Sequence, residues 1–226
     1  MDLFEAMMTQ KSVRRYNDEP VTDEEIESCL KAAVQAPNGA NSQRWQWLVV
    51  RDREKIRRIG AWYRKAYFER YEPAMIHAYA EAEGIDPETW LARYEASGRR
   101  PGSGRHLAEH IGEAPALVML MCVRDAKEYE LRDEQGIVDI GSSYYLSLAP
   151  ALQNFMLAAR GLGIGTCLTT LFRVHQQEIR EVCDIPDDLE IEALVPMGRP
   201  KGKFGVAPRI PAEQVTSWDT YGKRRG

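Results

Sequence analysis

The sequence predicts an α+β fold in a single domain. Two observations lead there. Strand-like segments are separated by helical ones, but without the regular βαβ rhythm of a doubly wound sheet. A chain of 226 residues can also bury one large core, and no internal repeat or linker-like stretch divides it. The expected organisation is one domain over residues 1–226, with a helical flap inserted at about 60–110 and an extended tail at about 198–226.

The elements follow in order from local signals. Met1 to Glu5 is acidic and helical. Thr22-Asp23-Glu24-Glu25 is a capping box, and behind it Ile26, Cys29, Leu30, Ala33 and Val34 recur on one helical face. Pro37-Asn38-Gly39 stops that helix, and Trp45 to Val50 is rich enough in aromatic and branched residues to be a strand. Asp52 caps a further helix through Ile56 and Ile59. The pattern then blurs: residues 62–94 hold eight of the twenty aromatics, Asp86-Pro87 suits a helix start, and residues 99–104 (Arg99 to Gly104) form a loop. Pro115 to Val123 is a continuous apolar run, the mark of a strand covered on both faces. A long helix is expected from Asp139 to Arg160, with Leu152, Phe155, Met156 and Ala159 on one face and Pro150 as a kink position. After Gly161-Leu162-Gly163 come a strand from Ile164 to Thr170, a helix near His175 to Val182 and a strand near Leu189 to Val195. The remainder, rich in Pro, Gly and basic residues, carries no clear helix.

Composition narrows the function classes. Thirty basic against 34 acidic residues leave a net charge of −4, so nothing argues for nucleic acid or an anionic membrane as partner. The start lacks the basic and apolar regions of a signal peptide, and no apolar stretch approaches the roughly 20 residues of a membrane span. A cytoplasmic protein is expected. Cys29, Cys122, Cys167 and Cys183 lie far apart and within apolar patterns, as buried free thiols do.

Three segments offer chemistry. Gln10-Lys11-Ser12-Val13-Arg14-Arg15-Tyr16 combines cations with a hydroxyl, a set that grips a phosphate and a polyol, though a solvated basic turn would look alike. In residues 37–45 (Pro37 to Trp45), glycine allows close approach of a planar ligand and the Asn and Gln amides offer donors and acceptors; a plain connection is the alternative. Residues 161–170 (Gly161 to Thr170) place glycines after a helix and before a strand, the reverse of a dinucleotide fingerprint. Their amides and the Thr hydroxyls suit a ligand's heteroatoms, while a glycine cap before a buried strand explains the same residues.

With Met197-Gly198-Arg199-Pro200 running on to Pro208-Arg209, these segments stand in the order of the R-R-S-x-R, P-S-x-x-N-x-Q-P-W, G-L-G-T and G-Y-P…R stretches of the nitroreductase family. The chain resembles that family over nearly its whole length except the flap. The resemblance implies a mixed, mostly antiparallel sheet flanked by helices, in a homodimer with FMN at the subunit interface. It also implies roles. Lys11 and Ser12 would hold the phosphate and ribityl chain, and Arg14 the pyrimidine edge. Pro37, Asn38, Gly39 and Asn41 would line the flavin ring from the partner copy. Leu168, Thr169 and Thr170 would lie at the ring, the two threonines near N5, and Arg209 would close on the phosphate. Arg14 and Thr170 would tune the flavin, and no protein nucleophile is required.

By the same resemblance NAD(P)H is the reductant, in a ping-pong cycle whose acceptor is a nitroaromatic, a quinone or a related small molecule. Reductive dehalogenation and flavin supply to a partner are the other uses of such a site. Tyr and Trp rings of the flap would favour a flat, aromatic acceptor, or else pack the flap onto the body. Departures from the pattern are Gln10 for the first Arg, Arg44 for Pro and Arg199 for Tyr. Two rivals remain: a flavin-binding protein without a reductant site, and a zinc hydrolase built on His106-Leu107-Ala108-Glu109-His110, an H-x-x-E-H pattern that lacks an obvious third ligand.

Overall fold

In the computed structural model, residues 1–97, 102–123, 130–133, 136–139 and 143–224 are described. The core sheet has four strands in the order β1 (Trp45–Val50), β2 (Ala116–Val123), β6 (Leu189–Gly198), β5 (Gly165–Thr166), each pair antiparallel. An isolated parallel bridge between Ser12 and Thr166 makes the edge mixed.

Alternation along the strands divides the core into two layers. Val118 and Leu120 of β2, with Ala193, Val195 and Met197 of β6, face α2 (Asp23–Ala33) and α7 (Ser143–Gly161). Trp47 of β1 stacks on Phe155 of α7 with ring centroids 5.5 Å apart. Leu117, Met119 and Met121 face the opposite layer, where α3 (Arg53–Ala66) and α8 (Gln176–Cys183) bring Ile56, Ile59 and Ile179. Burying each such side chain contributes roughly 1.5–3 kcal/mol, so two layers anchored on one sheet carry the fold. The expected cover on both faces of β2 is there: Ala116 to Met121 are all at most 5% exposed. Cys29, Cys122 and Cys167 are buried free thiols, whereas Cys183 is half-buried.

Local chemistry explains the ends. The Thr22 and Glu25 capping box is formed at α2, Asp2 caps α1 (Leu3–Thr9) and Asp52 caps α3. Helix α3 runs into a π-type turn at Tyr67–Tyr71 and then α4 (Glu72–Glu83), which Gly84 ends in a left-handed conformation. Helix α5 (Pro87–Ala96) packs against α4, and Tyr79, Trp90 and Tyr94 stack in a ladder with centroids 5.4 and 5.3 Å apart. Helix α6 (Ser103–His110) leads back to β2.

Four sequence expectations change. Asp139 belongs to a hairpin of β3 (Glu130–Asp133) and β4 (Gly136–Asp139), and α7 begins only at Ser143; branched Ile137 and Val138 favour extended backbone. The strand expected over 164–170 shrinks to β5, followed by a bridge at Thr169. The expected loop at 99–104 gives way to α6 from Ser103, and Arg99 to Pro101 lie outside the described residues. The tail carries one short helix, α9 (Ala212–Val215). Among the described residues, no helix is long and apolar enough to cross a membrane.

Candidate functional site

The strip at 10–17 is laid against the sheet edge by backbone bonds. Val13 N donates to Thr166 O at 2.8 Å, Asn17 N to Arg199 O at 2.9 Å, and Lys201 N to Arg15 O at 3.0 Å. The Tyr16 hydroxyl lies 2.7 Å from Val13 O and 3.0 Å from Pro196 O. Two glycines make this approach possible. A Cβ on Gly165 would fall 2.6 Å from Val13 Cβ, and one on Gly198 would fall 2.8 Å from the Tyr16 ring. Gly165 therefore serves packing. Gly163, at φ 74°, makes the left-handed turn after α7.

This packing buries Val13 and leaves its neighbours available. Lys11 is half-buried, Ser12 exposed and Arg14 half-buried. Arg14 lies beside Tyr16, Tyr63 and Cys167, and its Nε is buried with no hydrogen-bond partner. Buried donors are nearly always bonded, so this one suits an acceptor oxygen on a ligand. Burial pushes the Cys167 thiol up, against the opposing Arg14 guanidinium and Ser12 hydroxyl, so Cys167 stays a neutral thiol. Burial likewise drives the Tyr63 phenol up to about 12.

Residues 165–170 continue from the same edge. Leu168 and Thr170 are exposed, and Thr169 is half-buried. Thr169 is tied down: its N–H donates to Leu194 O at 3.0 Å, its carbonyl accepts from Leu194 N at 3.1 Å, and its hydroxyl lies 2.7 Å from that of Tyr63. Leu168 lines an open apolar cleft of about 430 Å³ together with Leu146, Pro150, Leu152, Gln153 and Met156 of α7. Gln10, one of the departures, reaches that wall through Nε2, 3.7 Å from Met156 Sδ.

The 37–43 loop is bonded to α7. Asn38 Oδ1 accepts from Gln43 N at 2.9 Å and its Nδ2 donates to Ala36 O at 3.3 Å, so the Asn38 amide shapes its own loop. Gly39 N donates to Ser147 Oγ of α7 at 3.0 Å. Ala40, Asn41 and Gln43 all adopt left-handed φ, between 49° and 52°. Pro37, Gly39 and Asn41 are exposed, and among the described residues no hydrogen bond joins 37–43 to the strip at 10–17. Arg209 is exposed on the tail, with Nη1 donating to Pro208 O at 2.9 Å. Backbone contacts thus join the strip carrying Lys11, Ser12 and Arg14 to the 165–170 edge, while the hydrogen bonds of the 37–41 set and of Arg209 run to other residues.

Arg199 is engaged structurally: it donates to Leu162 O at 2.8 Å and to Glu25 at 2.6 Å. In the flap, Arg64 and Arg105 both lie over the Phe68 ring, at 4.9 and 5.1 Å. The His106 and His110 rings are 4.2 Å apart, yet Glu109 accepts from Arg105 at 3.2 Å and His110 Nδ1 lies 3.1 Å from Glu113. Among the described residues no three metal-ligating side chains converge, so the H-x-x-E-H pattern gains no third ligand. Sequence reasoning missed two groups. Tyr63 counted only as one of eight flap aromatics, and Arg173, whose guanidinium pairs with the buried Glu192, carries no local signal because the pairing spans 19 residues.

Comparison with known proteins follows the same lines. The FMN reductase [NAD(P)H] of Bacillus subtilis is 21% identical over 97% of this chain and 74% of its own length. The iodotyrosine deiodinase of Thermotoga neapolitana is 26% identical over 97% of this chain and 98% of its own. A crystal structure of oxidised iodotyrosine deiodinase bound to FMN and 3-iodo-L-tyrosine superposes with a TM-score of 0.67 at 21% identity, covering 97% of this chain and 100% of that one. The nitroreductase family model matches residues 7–199, and this chain belongs to the nitroreductase family.

Proposed function

We propose that the protein is an FMN-dependent NAD(P)H oxidoreductase that reduces a small aromatic acceptor, with two copies sharing each flavin. FMN held there would supply ping-pong hydride transfer between NAD(P)H and the acceptor. The chain's own residues bind and orient. Lys11 and Ser12 hold the phosphate and ribityl chain, and Arg209 reaches the phosphate from the tail. Arg14 turns its unsatisfied Nε toward the pyrimidine edge, where a permanently charged guanidinium favours the negative charge of the reduced ring. Leu168 and the Thr169–Thr170 pair border the ring, and Pro37, Asn38, Gly39 and Asn41 cover it from the second copy.

The observation that carries this reading is the buried, unpaired Arg14 donor on the same strip as the exposed Ser12, both beside Cys167. Family membership and the name of the Bacillus FMN reductase support the cofactor and the reductant. Exposed apolar side chains on α1 and α7 support a face covered by a second copy; Phe4 is 73% and Leu146 75% exposed. For the acceptor, nitroaromatics and quinones fit the family, and the deiodinase relative adds halogenated phenols. A cytoplasmic location accords with this chemistry.

The test is spectroscopic. Purified protein, or protein given FMN, is expected to be yellow, to bleach anaerobically with NADH or NADPH, and to regain colour with a nitroaromatic, quinone or halophenol. A colourless protein that takes up no added FMN overturns the proposal. Yellow protein that neither pyridine nucleotide bleaches would instead be a flavin carrier. Sedimentation of a monomer that retains FMN would remove the shared site.

A further inference from the structure

We propose that His106 and His110 work as a proton-operated latch between the flap and the strip at 10–17: uptake of a proton at His106 frees the first turn of α6, the root through which the flap returns to the sheet. The latch is a property of the fold and does not depend on a bound flavin.

How α6 is held decides where it gives way. The helix starts after Gly102, which offers no side-chain cap, and its first turn closes through His106 N to Gly102 O at 3.2 Å. So short and uncapped a turn keeps its shape mainly through tertiary contacts. The second turn has them in Leu107 and Ala108, both buried, with Ile111 beyond. The first turn relies on Gly104, where a Cβ would fall 3.6 Å from the Tyr67 ring, and on the half-buried His106. The strip closes in from the other side. Tyr16 and Pro115 approach the same point, since a Cβ on Gly198 would fall 2.8 Å from one and 2.9 Å from the other. Arg15, next to Tyr16, faces His106 from there.

A protonated His106 has cations around it and no acid to itself. Four-residue spacing sets it against His110, with ring centroids 4.2 Å apart. Glu109 accepts from Arg105 at 3.2 Å, and Glu113 lies 3.1 Å from His110 Nδ1, so both neighbouring acids are engaged. Arg105 also donates to Glu72 of α4 at 3.3 Å. On the α3 side, Arg53 donates to Ala114 O at 2.6 Å and Arg57 to Glu54 at 3.1 Å. Burial first, then Arg15 and His110, hold the His106 ring below its ordinary value of 6.5, against the opposite pull of Glu109 and Glu113. A freed ring titrates at the ordinary value, so release takes up a proton. Closure is therefore favoured in full above pH 6.5 and is lost as the pH falls through that value toward the folded one. One proton limits the change to about tenfold per pH unit.

Two measurements on the full chain test the latch. The first follows the histidine ring protons by NMR. His106 is expected to titrate below 6.5 and to move upward in Arg15→Gln and in His110→Gln. A midpoint at or above 6.5, or one that Arg15→Gln leaves in place, overturns the latch. The second is amide hydrogen exchange at about pH 7.5 and about pH 5.5, corrected for the intrinsic rates. Protection of the 103–106 amides is expected to fall in acid, by at most about tenfold per pH unit, while α7 stays protected. His106→Gln is expected to abolish that fall and Arg15→Gln, altered at an exposed side chain, to reduce it. An equal fall in either variant overturns the proposal, and should His106→Gln fail to fold, Arg15→Gln decides alone.

Discussion

The strip at 10–17 and the loop at 37–43 are held in opposite ways. The strip has little structure of its own; bonds to Thr166, Arg199 and Lys201 and the close approach over Gly165 set its path. The loop is shaped mainly from within, by the Asn38 amide and three left-handed residues, and touches the body through Ser147. One region inherits its geometry from the sheet and aims Arg14 inward. The other carries its own geometry outward. The difference teaches how the proposed shared site could be built: each chain would hold one half on its own sheet edge and offer a finished half to a second copy.

The comparison breaks most easily at Gly165. Gly165→Ala pushes a methyl to 2.6 Å from Val13 Cβ, so the strip must lift. A loss of about 3 kcal/mol in stability is expected, with FMN retention gone, as read by thermal unfolding and flavin absorbance. Melting and flavin content like the wild type would show that the strip is not pinned there. Next in size is Arg14→Met, which removes a charge-assisted bond worth about 1.5–3 kcal/mol. Fluorescence titration is expected to show FMN held about 10–100-fold more weakly, partly recovered in Arg14→Lys. Unchanged affinity would detach Arg14 from the ligand.

Smaller effects sharpen the other half. Ala40 sits at φ 52°, a region that disfavours residues with a Cβ, so Ala40→Gly is expected to stabilise by about 0.5–1 kcal/mol despite the freedom it adds to the unfolded chain. A lower melting temperature would mean the loop is not left-handed in solution. The smallest concerns Glu25, which joins α2 to Arg199 beside the strip. The Thr22 backbone N–H, with Arg199 adding to it, holds its carboxyl below the ordinary value of 4.5. A lowered folded pKa gives stability that is present above that value and lost as the pH falls through the folded one. The gap in melting temperature between wild type and Glu25→Gln is therefore expected near neutral pH and to close well below pH 4.5; a gap that persists in acid would assign it to packing.

Much of the fold was legible because its signals are local. Trp45 to Val50 declares β1 by composition, the apolar run declares β2, and Thr22 with Glu25 declares the start of α2. What was illegible depends on distant partners. Ile137 and Val138 favour extended backbone, but that Asp139 belongs to a hairpin rather than to the start of a helix is decided by the pairing with 130–133. Gly165 looks like a ligand-facing glycine until Val13 is seen lying across it. The candidate site divides in the same manner. Residue types in the strip and at 161–170 announce an anion and a ligand's heteroatoms, but only the reach of Tyr63 from α3 shows that the Thr169 hydroxyl is engaged within the fold.

The left-handed turn at 40–43 has a further consequence, in the thermodynamics of association. A segment that already holds its bound shape has little freedom left to lose on contact, so encounter proceeds without a slow ordering step. On the proposed pairing of two copies, the heat-capacity change of association would scale with the apolar area covered, without an added contribution from coupled folding.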